Sequence, residues 1–463
     1  MAPRRPSSGG GRFVLALASP VVLGALAALV WGALTGPRPV LETTARAVTT
    51  APDAALETPT AQAASHPSLV VLAFANIGGD PQQAYFADGF TEDIAAALAH
   101  APGLIVAARG TGFAFKGRTE KAQQIGRELG AQHLLTGIVS RTPTGLRVVA
   151  RLVETATGRP AWQEIFDRPL ADLFILQQEL TDHVAAAVAP EARRAAGERA
   201  SAAGANTLAA HDLTLRARAA LKSIELDSAR AARGLAEQAV ARDPNYAPAY
   251  LAFALSLAAV FDNRWDRDYA STPVAQRMAA ASQAAANLAP GDATAHATLA
   301  MAQTYAMQHD KAAVEAERAL ALAPDDAEVL ALAAKSMLGL GRFERAVTLL
   351  HRARLYDPAG TVTGAGTTLG IAQYQLRRYD DAVDALRPCA TPSSQGTLCR
   401  AMLAAALAQA GQRAEAATEV ETLQRLSPGF TVKENSRREV GIVRDLAWVR
   451  HVAEGLRKAG VPE

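Results

Sequence analysis

The sequence predicts an α+β protein built as an N-terminal transmembrane helix, a small α/β module and an all-α superhelix of helical repeats. Three observations carry that prediction. Residues 13–35 contain no charged side chain, residues 69–169 alternate short β-rich runs with helical stretches, and Pro290, Pro324 and Pro358 stand 34 residues apart. Composition points the same way. Aromatic residues make up 5% of the chain while alanine is abundant, which favours closely packed small-residue helices over a β-sandwich. A length of 463 residues allows two or three domains. The net charge of +2, from 47 basic and 45 acidic residues, leaves no basic excess for a phosphate backbone, so no nucleic-acid partner is expected.

Residues 13–35, FVLALASPVVLGALAALVWGALT, form a 23-residue apolar run. At about 1.5 Å per residue it crosses a bilayer core of about 30 Å. Pro20 lies near the N-terminal end, where a membrane helix tolerates it, and Trp31 sits where an interfacial aromatic is expected. A cleaved signal peptide competes with this reading, but its apolar region runs about 7–15 residues. The Ala45-Arg46-Ala47 cleavage pattern also stands ten residues beyond the run. An uncleaved anchor is therefore expected. Arg4, Arg5, Arg12 and the terminal amine precede the span, against Arg38 and Arg46 behind it. This bias makes residues 1–12 a cytoplasmic tail and puts the body in the periplasm, anchored in a bacterial inner membrane by a single pass. Residues 36–66, rich in Ala, Thr and Pro, read as a flexible linker with a reach of about 30 Å.

The α/β module is expected over residues 67–192. LVVLAF (69–74) and GLIVAA (103–108) read as strands, each followed by a helix, the first through His100 and the second ended by Gly130. HLLTGIVSR, GLRVVARLVE and RPAWQEIFDR read as three more strands joined by short turns at 143–145 and 157–158, the pattern of antiparallel hairpins. A helix from about Leu170 to Ala195 closes the unit.

Two turns in this module bear on chemistry. GGDP (78–81) opens a helix, as phosphate-binding turns do. Asp80, Asp88, Glu92 and Asp93 surround it with no Lys or Arg between residues 67 and 108, so the acids read as helix-capping groups rather than neighbours of an anion. Residues 112–119, GFAFKGRT, match the G-x-x-x-x-G-K-[ST] phosphate loop except that Arg118 replaces the lysine. Phe113 and Phe115 would obstruct a backbone wrapped on phosphates. The competing expectation is a hairpin-like loop that pins both aromatics onto the sheet.

Residues 207–430 carry the repeats. Helix ends with proline recur at 242–244, 288–290, 322–324, 356–358 and 426–428, and Ala232, Met278, Ala312, Ala346, Ala382 and Ala416 form a second register. Small residues where helices cross and a proline behind the second helix, at a 34-residue spacing, resemble the tetratricopeptide repeat. GRFERAVTLLHRARLYDP (341–358) is the clearest copy. The larger spacing from Ala232 to Met278 marks an insertion at 261–272, where Trp265 and Tyr269 lie among charges. They are candidate partner contacts, or the loop folds back on its own repeat. Residues 431–463 hold an amphipathic helix expected to cap the last apolar face of the array, and residues 193–206 connect it to the module.

The module also carries a resemblance. VLAFANIGGDPQQAYFADGFTEDIAAAL, GLIVAARGTGFAFKG, IGRELGAQHLLTGIVSR, VVARLVETATGRPAWQEIFDR and ADLFILQQELTDHVAAAV are similar to the TolB amino-terminal-like (FlgO-like) module, over residues 68–190. The resemblance implies a module placed before tetratricopeptide repeats in membrane-anchored bacterial proteins. Many of these carry an adenylate-cyclase or winged-helix domain on the cytoplasmic side. Twelve residues precede the span here, so that catalytic or DNA-binding domain is expected to be missing.

No HExxH, paired metal spacing or G-x-S-x-G elbow occurs, so no enzyme activity, metal or cofactor is expected. The expected role is a non-catalytic scaffold or sensor that binds a protein or peptide in the concave groove of its array. By the register of the repeat family, Met301, Thr304, Glu328, Lys335, Ile371 and Tyr374 face that groove. With one basic residue among six, they favour an apolar or weakly charged ligand over a carboxylate clamp. The alternative is a nucleotide-linked regulator, or a subunit of an adenylate-cyclase-type system, using the loop at 110–119. Cys389 and Cys399 are bridged if the compartment oxidises, or are two buried thiols in adjacent helices.

Overall fold

The computed structural model describes residues 68–76, 83–101, 104–118, 120–142, 145–188, 204–223, 225–263, 272–357, 360, 362–390, 396–439 and 443–463. The chain divides into two units, residues 1–60 and 61–463, and all the described residues belong to the second. Residues 13–35 therefore lie outside the described residues, as do the GGDP turn, Trp265 and Tyr269. Among the described residues no helix is long and apolar enough to cross a membrane.

The α/β module runs β1 (Ser68–Val71), β2 (Ala75–Asn76), α1 (Ala84–Ala99), β3 (Ile105–Val106), α2 (Ala122–Leu129), β4 (His133–Arg141), β5 (Gly145–Glu154), β6 (Pro160–Pro169) and α3 (Leu173–Val188). The sheet order is β3-β1-β4-β5-β6, with β2 also on β4. β1 lies parallel to β3 and β4, and β4, β5 and β6 form an antiparallel meander. Phe86, Phe90, Ile94 and Leu98 of α1 recur every fourth residue, so they share a face that enters the core with Leu173, Leu176, Leu180 and Val184 of α3. Phe74 meets Phe90 edge to face at 5.7 Å.

Two expectations for this module are corrected. The predicted strand 69–74 breaks after Val71, because Phe74 gives its backbone N–H to Thr91 Oγ1 at 3.0 Å instead of to a neighbouring strand. The acids of α1 do not cap it: the helix starts after Gln83, which makes no capping bond, and its first turn holds no acid. Asp88 instead meets Lys116 Nζ at 2.5 Å, and Glu92 and Asp93 stand two turns in, on a face that meets another part of the chain.

The array consists of α4 (Ala205–Leu221), α5 (Leu226–Arg242), α6 (Ala247–Asn263), α7 (Thr272–Leu288), α8 (Ala293–Tyr305), α9 (His309–Leu322), α10 (Ala327–Gly339), α11 (Phe343–Tyr356), α12 (Ala365–Gln375), α13 (Tyr379–Leu386), α14 (Thr397–Gln409) and α15 (Arg413–Leu426), followed by α16 (Val432–Glu439) and α17 (Leu446–Ala459). These helices pair in order, and the first helix of each pair packs on the first helix of the next. Ala232, Met278, Ala312, Ala346, Ala382 and Ala416, the register read from spacing, are all 0% exposed, because the second helix of each pair presses on the first at that point. Asp292 and Asp326, each two residues behind a helix-ending proline, cap α8 and α10 by accepting from Thr294 N and Ala295 N, and from Glu328 N and Val329 N. The turns inside the later pairs place Met307, Gly341, Arg377 and Gly411 at φ of 60°, 73°, 62° and 84°. Glycine fills that left-handed position in two repeats and a side chain bears it in the other two.

Candidate functional site

The module is joined to the array along a charged seam. α1 lies on α4, and Gly89 lets them approach, since a Cβ there would stand 2.5 Å from Leu215 Cδ2. Leu215 belongs to the core of the module although it sits in the first repeat. Tyr85 Oη and Arg141 Nη1 both donate to Asp212 Oδ1, at 2.6 and 2.7 Å. Arg218 donates to Glu92 at 2.6 Å and to Asp93 at 2.8 Å, and Lys222 meets Glu92 at 2.7 Å. Burial pushes the Glu92 carboxyl up, but Arg218 and Lys222 outweigh it and hold it below the ordinary carboxylate range. Beside them His211, 3% exposed, meets Tyr246 Oη through Nδ1 at 2.8 Å and Phe174 edge to face at 5.2 Å. Burial lowers the imidazole's proton affinity and outweighs nearby Asp93.

A second arm of the module reaches the later repeats. Ala108 donates its N–H to Tyr356 O at 2.5 Å, and Arg109 extends onto Glu328 at 2.6 Å and Thr294 Oγ1 at 3.3 Å. Burial raises the Glu328 carboxyl in spite of Arg109. The array is also tied to itself: Asp262 at the end of α6 pairs with Lys335 and accepts from Tyr305 Oη at 2.6 Å, and Thr397 Oγ1 donates to Asn263 O at 2.6 Å.

The six residues read as groove-facing all make contacts within the chain. Met301 lies in a buried cluster with Phe261 and Met278, and Thr304 bonds back to Ala300 O. Ile371 is buried, and Tyr374 is 0% exposed, with its Oη donating to His451 O of α17 at 2.9 Å. Glu328 and Lys335 keep 33% and 23% of their side chains exposed but are bound to Arg109 and Asp262. Segments distant in sequence fold onto two of them, Arg109 onto Glu328 and the C-terminal helix onto Tyr374, while Lys335 is held by Asp262 of the array itself. The seam residues Tyr85, Arg141, Asp212 and Arg218 went unread. The signal for them was an apolar helix bearing acids with no cation nearby in sequence.

The loop at 110–119 is a short 3₁₀ turn, Thr111–Phe115, rather than a hairpin-like loop. Phe115 enters the sheet's second face with Val70, Ile125 and Leu134, as expected, whereas Phe113 lies outside it with Lys222 Nζ 4.4 Å from its ring centroid. The N–H groups of Thr111, Phe113, Lys116 and Arg118 bond to the carbonyls of Ala108, Gly110, Phe113 and Phe115. Gly112 is there for closeness, since a Cβ would stand 1.9 Å from Val71 O. Lys116 and Arg118 line a cavity of about 280 Å³ beside Leu72 and Thr136, but each is paired, with Asp88 and Glu120 respectively. Among the described residues no group of His, Cys, Asp or Glu is placed to hold a metal. Cys399 is disulfide-bonded, and the chain's other cysteine is Cys389.

Comparison with known proteins bears on the array most directly. Residues 304–361 match the tetratricopeptide repeat family. The tetratricopeptide helices α9, α10 and α11 lie wholly within that stretch. A curated relative, putative adenylate cyclase 3 of Rhizobium meliloti (strain 1021), is 34% identical over 263 residues, 56% of this chain and 44% of the relative. The chain thus spans less than half the length of that relative. Among solved structures it is similar to YrrB, described as a TPR protein with an unusual peptide-binding site, at 16% identity and a TM-score of 0.27 over 42% of this chain and 93% of that one. It is also similar to TolB from Acinetobacter baumannii, at 13% identity and a TM-score of 0.21 over 27% and 29% of the two chains.

Proposed function

We propose that this chain is a non-catalytic scaffold or sensor, anchored in a bacterial inner membrane by residues 13–35, whose periplasmic tetratricopeptide array binds a protein or peptide. The observation that carries the reading is the chemistry at and beside the positions that the repeat register assigns to the groove. Lys335 and Tyr374, with Tyr305 beside Lys335, engage backbone and side chains of other segments, which is the chemistry of polypeptide recognition. The disulfide at Cys399 supports an oxidising compartment, and the uncharged run at 13–35 supports the anchor. A photoreactive residue in place of Glu328, whose side chain is one-third exposed, tests the reading in intact cells. Discrete adducts larger than the chain are expected, and their absence at this and neighbouring concave positions contradicts it.

The match to a relative named as an adenylate cyclase favours a second reading, a regulatory part of an adenylate-cyclase-type signalling system. Nucleotide binding by the body, abolished by Arg118→Ala, supports that alternative, and an unchanged titration in both chains removes it.

A further inference from the structure

We propose that His211 is a proton-sensitive pin in the seam between module and array, and that its protonation releases α1 from α4 while the arm at Arg109 keeps the module attached. The inference goes beyond the binding role of the array and does not depend on it.

The ring of His211 leaves α4 to meet three other segments. Nδ1 meets Tyr246 Oη, just ahead of α6, at 2.8 Å. Phe174 of α3 covers the ring edge to face at 5.2 Å, and Nε2 stands 3.8 Å from Asp93 Oδ2 of α1. Nε2 is buried with no hydrogen-bond partner among the described residues. In the charged ring both nitrogens donate, so Nε2 needs an acceptor within hydrogen-bond reach, and Asp93 at 3.8 Å is beyond it.

The carboxylates around the ring are already committed. Asp93 accepts from Arg218 at 2.8 Å and from Gln177 of α3 at 3.4 Å. Asp212 accepts from Tyr85 at 2.6 Å and from Arg141 of β4 at 2.7 Å, with Arg216 2.9 Å away. Glu92 is shared by Arg218 and Lys222, and Asp243, behind α5, accepts from Thr207 at 2.6 Å. The cations Arg141, Arg216, Arg218 and Lys222 thus face the carboxylates Glu92, Asp93 and Asp212, an excess of positive charge before the ring takes a proton. An imidazolium here is a further buried cation, which water solvates once the seam parts. Burial, with Arg218 and Arg141, outweighs Asp93 and Asp212 and holds the ring's proton affinity below the ordinary histidine range. The open seam therefore binds the proton more readily than the closed one. The seam is shut above about pH 6.5, and its opening grows by up to about tenfold for each pH unit below that.

Hydrogen exchange on the full chain in detergent between pH 7.5 and 5.5, corrected for the intrinsic pH dependence of exchange, tests the proposal. In the wild type, peptides of α1 and α4 are expected to lose protection as the pH falls while those of α10 and α11 keep theirs. His211→Gln retains a hydrogen bond for Tyr246 and does not titrate, so its protection at the seam is expected to stay constant over the range. Arg216→Gln removes a positive charge beside the ring from a side chain that is 50% exposed, and is expected to shift the opening to lower pH. Unchanged protection in the wild type overturns the proposal, and so does a loss in His211→Gln equal to that of the wild type. A loss spread evenly over module and array, which is acid unfolding, overturns it as well. If His211→Gln is already unprotected at pH 7.5, an NMR titration of the wild-type imidazole decides. A ring that takes its proton where α1 and α4 open supports the proposal, and one that titrates elsewhere overturns it.

Discussion

At single residues, the geometry sets clear expectations. Gly112→Ala drives a methyl into the carbonyl of Val71, and the backbone there is held by the β1 ladder, so a loss of about 2–3 kcal/mol is expected. Arg377→Gly acts in the opposite sense. Arg377 holds φ 62° where the neighbouring repeats use Gly341 and Gly411, and relieving a left-handed side chain is expected to add about 1 kcal/mol. Thermal melts check both. His211 adds a pH dependence: burial lowers its proton affinity in the fold, so the unfolded chain takes up a proton first, near pH 6.5. Its contribution is therefore present above about pH 6.5 and is lost as the pH falls below it, by up to about 1.4 kcal/mol per pH unit. In melts from pH 7.5 to 5.5, His211→Asn is expected to flatten the slope relative to wild type. An equal slope in the two proteins contradicts the assignment.

At the level of elements, the seam between α1 and α4 decides whether module and array act together. Arg218 serves Glu92 and Asp93 at once, and Arg218→Met removes the cation paired with Asp93 while Glu92 keeps Lys222 and the more distant Arg109. The expected cost is about 2–3 kcal/mol, with a coupling to Glu92→Gln of about 1–2 kcal/mol in a double-mutant cycle of chemical denaturation midpoints. Additive effects would show that the pair does not join the two parts. This seam also shows where reading from sequence stops. β4, β5 and β6 were legible because alternation and short turns are local, and the array because its alanines and prolines repeat. The partners of Glu92 and Asp93 lie 126 and 125 residues away along the chain, and no local pattern names a partner at that distance. The same limit hid Arg109 from Glu328 and α17 from Tyr374. Of the positions read as groove-facing on the family register, Glu328 and Tyr374 touch such distant segments.

For the whole molecule, the module, the array and the C-terminal helix form one connected body in residues 61–463, tied by Arg109, Arg218 and Tyr374. What is proposed for that body depends on whether it is exported, the reading made from the uncharged run at residues 13–35. Outside the cytoplasm the disulfide at Cys399 is expected to persist, and the proposed partners are exported polypeptides. In the cytoplasm the bond is expected to be reduced, and the exported-scaffold reading falls. Reporter fusions after residue 66 and after residue 463 decide between these most directly, one reporter active only in the cytoplasm and one only beyond it. The account predicts that the external reporter is active at both junctions and the cytoplasmic one silent. A cytoplasmic signal at both would contradict it.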